Sequence, residues 1–251
     1  TAIGFAHNGF LPIVEIQYLA YLHNAEDQIR GEAATLAFFS KAQFTNPMVI
    51  RIPGFAYQKG FGGHFHNDNS ISVLRDIPGI VIACPSSAKD APAMLRTCAR
   101  IAWEQGRVVI FMEPIALYNT RDLVDQDDQQ WSYNYSPPKE LLSLGEVYSH
   151  QPGEDIVVLS YGNGFYLSRQ AEQILSSKHN IKVTVVDIRW LKPLPISAIL
   201  KELSGAKKVL IVDECRRTGS LSEELITLLM EHNCTCKVSR ITGEDCFIPL
   251  G

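Results

Sequence analysis

With 251 residues, 46% of them hydrophobic and 20% charged, the chain is too apolar to be disordered, and at roughly 150 residues per domain it holds one large or two small domains. Its 23 Lys and Arg against 27 Asp and Glu leave a net charge of −4, with no basic run beyond Lys207-Lys208 or Arg216-Arg217. That excludes nucleic acid and an anionic membrane surface as partners. Apolar runs such as Ile80–Cys84 and Val108–Met112 fall far short of the roughly 18 to 20 residues of a membrane-spanning helix.

Short β-branched runs alternate with helical periodicity, the pattern of parallel α/β sheets covered on both faces. Ile13–Ile16 reads as a strand, followed by one helix over Asn24 to Phe39 with Ala25, Ile29, Ala33, Leu36 and Ala37 on a common face. Met48–Ile52 is the next strand. Pro53 to Asn69 fits neither period, and a Gly- and aromatic-rich connection of this length points to function. A strand at Val81–Ala83, a helix from Ser87 or Lys89 to Trp103, and a strand at Val108–Met112 close the first block. Asn119 to Lys139, rich in Asp and Gln, carries no apolar period and reads as a linker. The second block has strands at Ile156–Ser160, Val183–Asp187, Val209–Asp213 and Lys237–Ile241, with helices near Phe165–Ser177 and Leu221–His232. The expected division is 1–118, a linker over 119–140, and 141–251. Thr1-Ala2-Ile3-Gly4 and Pro249-Leu250-Gly251 read as cuts through a longer sequence. Six cysteines in mostly apolar settings, with no C-x-x-C pair, fit a reducing compartment such as the bacterial cytosol or the mitochondrial matrix.

The densest polar cluster is Gly60 to Asn69. His64 and His66 alternate onto one side of an extended segment, where with Asp68 they make either a metal triad or a proton donor aimed at a ligand; the plain alternative is a loop with one capping and one solvated histidine. Glu15 and Gln17 share a face at the carboxyl end of a buried strand, where open α/β sheets bind ligands, and Tyr18 and Tyr21 follow. Asp27, Gln28, Arg30 and Glu32 read equally as a solvated or inter-subunit face. Glu113 and the Asp213-Glu214-Cys215 run end strands and read as caps. Ser160-Tyr161-Gly162-Asn163-Gly164 opens a helix after a strand but lacks a full dinucleotide fingerprint.

Several segments occur together in one order and spacing: Glu15-Ile16-Gln17-Tyr18, Asp27-Gln28-Ile29, Glu32-Ala33-Ala34, Ile50–Gly54, His66-Asn67, Pro78-Gly79-Ile80, Glu113-Pro114 with Leu117-Tyr118, and Asp187-Ile188-Arg189 with Leu191-Lys192-Pro193. In this the chain resembles the beta subunit of the thiamine-diphosphate-dependent 2-oxoacid dehydrogenases, the decarboxylating component of the pyruvate and branched-chain complexes. The resemblance implies a transketolase-like pyrimidine-binding domain and a transketolase-like C-terminal domain, both three-layered around parallel sheets. It implies thiamine diphosphate and Mg²⁺ held mostly by an alpha subunit or a fused N-terminal half, a second beta copy, a lipoyl acyltransferase core, and a 2-oxoacid as substrate. Gln17 and Tyr21 would bind the cofactor. His66, twelve residues before Pro78, would be the catalytic histidine rather than His64. No residue here is implied as a metal ligand. The family's pyrimidine-activating glutamate would fall before Thr1, and extra length around Ile101–Gly106 breaks the pattern of the family's potassium site. A transketolase-type ketol transferase and a non-catalytic scaffold subunit are the alternatives.

Overall fold

The computed structural model describes residues 1–55, 66–153 and 155–249. It builds two five-stranded sheets. The first half runs α1 (Ala2–His7), β1 (Ile13–Glu15), a 3₁₀ turn over Leu19–Asn24, α2 (Glu26–Gln28), a π turn over Ile29–Ala33, α3 (Thr35–Phe39), β2 (Met48–Gly54), α4 (Ser72–Asp76), β3 (Val81–Ala83), α5 (Asp90–Gln105) and β4 (Val108–Pro114). The second half runs β5 (Tyr148–His150), β6 (Ile156–Ser160), α6 (Gly162–His179), β7 (Val183–Asp187), β8 (Trp190–Lys192), α7 (Ile196–Glu202), β9 (Lys208–Arg216), α8 (Leu221–Glu231) and β10 (Lys237–Gly243). No helix among the described residues is long and apolar enough to cross a membrane.

The first sheet has the order β1-β2-β4-β3-β8 and the second β10-β9-β6-β7-β5. β4 is buried at every position and β2 at all but Arg51, because helices cover both faces. Alternation sends Ile50, Ile52, Ile110 and Met112 into the main core and Val49, Val109 and Phe111 against α5. α5 stops at Gly106, whose φ of 64° supplies the left-handed turn that closes a helix.

The structure departs from the sequence reading in three places. The helix expected over Asn24 to Phe39 is a 3₁₀ turn followed by short α segments flanking a π turn, in which the Ala34 N–H reaches back to the Ile29 carbonyl at 2.9 Å. One inserted residue shifts the face, so Ile29 and Ala33 are buried while Ala25, Leu36 and Ala37 are only partly so. The linker is folded rather than loose. Asp128 accepts the N–H groups of Leu123, Val124, Asp125 and Gln130, Asp122 accepts those of Asp127 and Gln129, and Leu123 and Trp131 are buried. Finally, the sheets are not wholly parallel: β5 and β8 are antiparallel edge strands of three residues each.

β8 is the decisive connection. It comes from the second half of the chain and pairs with β3 of the first, through Ile82 opposite Lys192 and Ala83 opposite Trp190. Trp190 is fully buried beside Met94 and Cys98 of α5, and the Lys192 ammonium donates to the carbonyls of Arg75 and Ile77. Next to β8, Arg189 donates to Asp90 through Nε at 2.9 Å and a terminal nitrogen at 2.5 Å, with both side chains buried. Ser86 bridges the halves again, accepting from the Gly162 N–H at 2.7 Å and donating to Asp187 at 2.8 Å. One apolar cluster spans both sheets, from Leu22 and Ile52 to Leu159 and Leu225.

Two carboxyl groups lie fully inside this seam. Burial pushes Glu214 up to about 8, against the pull of the Gly164 and Asn163 N–H groups. Burial likewise pushes Asp187 up to about 7, opposed by Arg189 and Ser86.

Removing one member of a buried ion pair leaves an unpaired charge, so Arg189→Ala should cost about 3–5 kcal/mol in chemical denaturation. Arg100→Ala, in an exposed pair one helical turn from Glu104, should cost at most about 0.5 kcal/mol. Equal losses would contradict the assigned role of the seam. The raised carboxyl groups make the folded chain hold protons that the unfolded chain releases near pH 4, so stability should fall as pH rises from about 4 to about 8. Glu214→Gln should flatten that decline in denaturation midpoints taken across the window, and an unchanged slope would count against the buried acid.

Candidate functional site

β1 delivers its carboxyl end to the rim of the first sheet. Tyr18 is extended, with φ −146° and ψ 151°, and opens the 3₁₀ turn that Leu19 and Leu22 pin into the core. Residues three apart on a 3₁₀ turn project the same way, which places the Tyr18 and Tyr21 rings together at 5.9 Å. Gly54 at the end of β2 permits this approach: a Cβ there would lie 3.0 Å from the Met112 methyl and 3.1 Å from the Leu19 Cβ.

His66 closes the group. Its ring stands edge-on to Tyr18 at 4.5 Å and 83°, and to Tyr21 at 5.8 Å and 74°. The Tyr21 hydroxyl lies 3.3 Å from His66 Nε2, within hydrogen-bond reach, with the imidazole tautomer deciding which of the two donates. Two of the three residues expected at the site, Tyr21 and His66, are therefore in contact. Gln17 is exposed just beyond β1, and the described ring contacts of His66 run to the tyrosines rather than to it. Asp68 leads elsewhere: it accepts from Arg216 at 3.2 Å and faces His23 Nε2 at 3.9 Å. His64 lies outside the described residues, and with it the metal triad imagined for this loop. Among the described residues no group of three or more His, Cys, Asp or Glu side chains converges as a metal site.

The other candidates resolve into structure. Arg51 grips Glu113 through Nε at 2.6 Å and a terminal nitrogen at 3.0 Å, meets Glu15 at 3.2 Å, and Tyr118 donates to Glu113 at 2.5 Å. This knot braces β1, β2 and β4, and its Arg51, Glu113 and Tyr118 line a cavity of about 720 Å³ with Trp131 and Tyr135. At the opening of α6 the Glu214 carboxyl group accepts from the Gly164 N–H at 2.8 Å, so the dinucleotide-like turn is filled by the protein's own acid. Gly162, at φ 55°, is required there, since a Cβ would sit 3.1 Å from Glu214. Asp213 accepts from the Ser222 N–H, capping α8, and from the Tyr161 hydroxyl. Asp27, Gln28, Arg30 and Glu32 are all exposed, as a solvated face would be. The tie from Asp68 to Arg216 joins residues 148 apart in the chain, which no local spacing could have signalled.

An aminopyrimidine ring needs an aromatic wall and polar groups at its edge. The Tyr18, Tyr21 and His66 cluster at the carboxyl end of β1 offers both, so these residues fit a thiamine cofactor's pyrimidine side.

Comparison with known proteins bears on the same point. Residues 1–120 match the pyrimidine binding domain of transketolase, and residues 145–251 match the transketolase C-terminal domain. The 2-oxoisovalerate dehydrogenase subunit beta of Bacillus subtilis is 30% identical, with 98% of this chain and 71% of that protein aligned. The subunit of the same name from Pseudomonas aeruginosa is 29% identical over 98% and 70%. The pyruvate dehydrogenase E1 component subunit beta of Staurastrum punctulatum is 31% identical over 92% and 65%. A solved structure described as a split-gene transketolase, inactive beta4 tetramer, has a TM-score of 0.73 at 18% identity, covering 98% of this chain and 71% of its own, and shows the shared fold. On these matches, the chain belongs to the transketolase-like family of 2-oxoacid dehydrogenase beta subunits.

Proposed function

We propose that this chain works as the beta subunit, or beta-like half, of a thiamine-diphosphate-dependent 2-oxoacid dehydrogenase, in oxidative decarboxylation of a 2-oxoacid with acyl transfer to a lipoyl group. The observation that carries the reading is the contact of His66 with Tyr21 and Tyr18 at the carboxyl end of β1. The names of the similar subunits favour it over ketol transfer and over a scaffold role. The organisation proposed with it is a pyrimidine-binding unit over 1–118, a linker over 119–140 and a C-terminal unit over 141–251.

Thiamine diphosphate, when bound, supplies the carbon nucleophile and the electron sink for decarboxylation. The chain's own residues provide the rest of one wall. Tyr18 and Tyr21 flank the pyrimidine side, with Gln17 reaching it from the rim. His66 holds and moves a proton at an imidazole nitrogen that the Tyr21 hydroxyl contacts, either stabilising charge beside the reacting carbon or protonating the lipoyl sulfur. Mg²⁺ and the diphosphate are assigned to the alpha subunit or N-terminal half, and a second beta copy and the acyltransferase core complete the assembly. Six free thiols, three of them buried, and a mitochondrial relative in Dictyostelium discoideum support the bacterial cytosol or the mitochondrial matrix as its place.

Reconstitution of a full-length protein that carries the family's pyrimidine-activating glutamate, with an alpha-type subunit, thiamine diphosphate and Mg²⁺, tests this. The complex should release CO₂ from a 2-oxoacid and acylate lipoyl groups, and His66→Ala should lower acyl transfer by roughly 10²- to 10³-fold with cofactor affinity nearly unchanged. Tyr21→Phe should give a smaller loss in acyl transfer, because the imidazole would lose its hydroxyl contact. A complex that assembles but releases no CO₂ would return the chain to a scaffold role, and full activity of His66→Ala would remove His66 from the chemistry.

A further inference from the structure

The loop that carries His66 is held from the far side by the second half of the chain. Asp68, two residues on, is mostly buried, with its side chain 13% exposed, and Arg216 is 29% exposed. Their contact at 3.2 Å leaves Asp68 Oδ1 also accepting the Ser70 N–H at 3.1 Å, so one carboxylate both shapes the loop and takes the cation. Arg216 ends β9, and its Nε donates to the Cys246 carbonyl at 3.0 Å while its guanidinium lies over the Phe247 ring at 5.7 Å. The adjoining Asn69 is gripped by the same strand: its amide donates to the Glu214 carbonyl at 3.2 Å, and the Cys215 thiol donates to its carbonyl. On the other side, Asp68 Oδ2 faces His23, two residues after Tyr21, on the 3₁₀ turn that presents the tyrosines.

We propose that Asp68 and Arg216 form a clamp that fixes the His66 loop in the register where the imidazole meets Tyr21, which makes Arg216 a positioning residue. The inference rests on the reading of His66 as the catalytic histidine. The Asp68 carboxylate takes Arg216 from β9 at 3.2 Å and lies 3.9 Å from His23 of the tyrosine turn, so three remote segments meet at it, and Arg216 reaches the His66 loop through Asp68. An ordinary exposed ion pair contributes little. This one is partly buried, and its geometric constraint falls on a group whose placement governs a proton transfer, where small displacements are costly.

The chain has seven histidines, few enough to follow individually by ¹³Cε1 labelling and NMR. Tyr21→Phe defines the shift of the His66 signal when its hydroxyl partner is lost. Arg216→Ala should move the His66 signal in that same direction, Arg216→Lys should largely preserve it, and the thermal midpoint should stay close to that of the parent. In the reconstituted complex Arg216→Ala should lower kcat about tenfold with little change in KM, short of the roughly 10²-fold that an ångström of misplacement can cost, and Arg216→Lys should recover most of it. An unmoved His66 signal in Arg216→Ala, or equal losses in the Ala and Lys variants, would overturn the clamp. Full activity of His66→Ala would instead overturn the catalytic reading, and the NMR comparison would still decide the clamp.

Discussion

Three residues from the second half of the chain, Trp190 to Lys192, complete the sheet of the first half, and the placement of the candidate site depends on that pairing. Between β7 and β8 the chain turns at Arg189, at φ 60°, whose guanidinium is buried against Asp90 at the start of α5. In the same seam Ser86 accepts from the Gly162 N–H and Glu214 accepts from the Gly164 N–H at the opening of α6. The two sheets then share one apolar core. Charged groups are costly to bury singly, and in the seam Arg189 meets Asp90, Asp187 meets Ser86 and Glu214 meets the Gly164 N–H.

That seam explains how a site can be built from residues with no common local structure. Tyr18 and Tyr21 belong to a 3₁₀ turn after β1, His66 to a loop after β2, and Arg216 to the end of β9. Tyr18 and Tyr21 follow the end of β1 directly and Arg216 ends β9, so ladder-bound strands fix their backbones, while His66 is placed by its contacts with the two tyrosine rings. The Arg51, Glu113 and Tyr118 knot serves the same purpose, holding β1, β2 and β4 level at their carboxyl ends.

The buried strands were legible because burial on both faces writes a continuous apolar run, as in Met48–Ile52 and Val108–Met112. β5 and β8 were not, because three residues at a sheet edge leave no run, and β8 is defined by a partner over a hundred residues earlier. The π turn at Ile29–Ala33 was hidden because apolar spacing cannot reveal one inserted residue. Nor could composition show that Leu123 and Trp131 fold the Asp-rich linker, since isolated anchors carry no period. The polar cluster around His66 and the face of Gln17 with Tyr21 stood out through their own chemistry, the family spacing chose His66 over His64, and neither signal reaches Arg216, whose contact with Asp68 spans 148 residues.

The central claim is that the Tyr18, Tyr21 and His66 rim forms one wall of a cofactor site completed by a partner subunit. Acylation of histidines by diethyl pyrocarbonate, mapped by mass spectrometry on the reconstituted complex, tests it most directly. His66 should be modified in the chain alone and protected when the alpha-type subunit, thiamine diphosphate and Mg²⁺ are all present, while exposed His7, His179 and His232 react alike in both states. Equal modification of His66 with and without the cofactor would contradict the account.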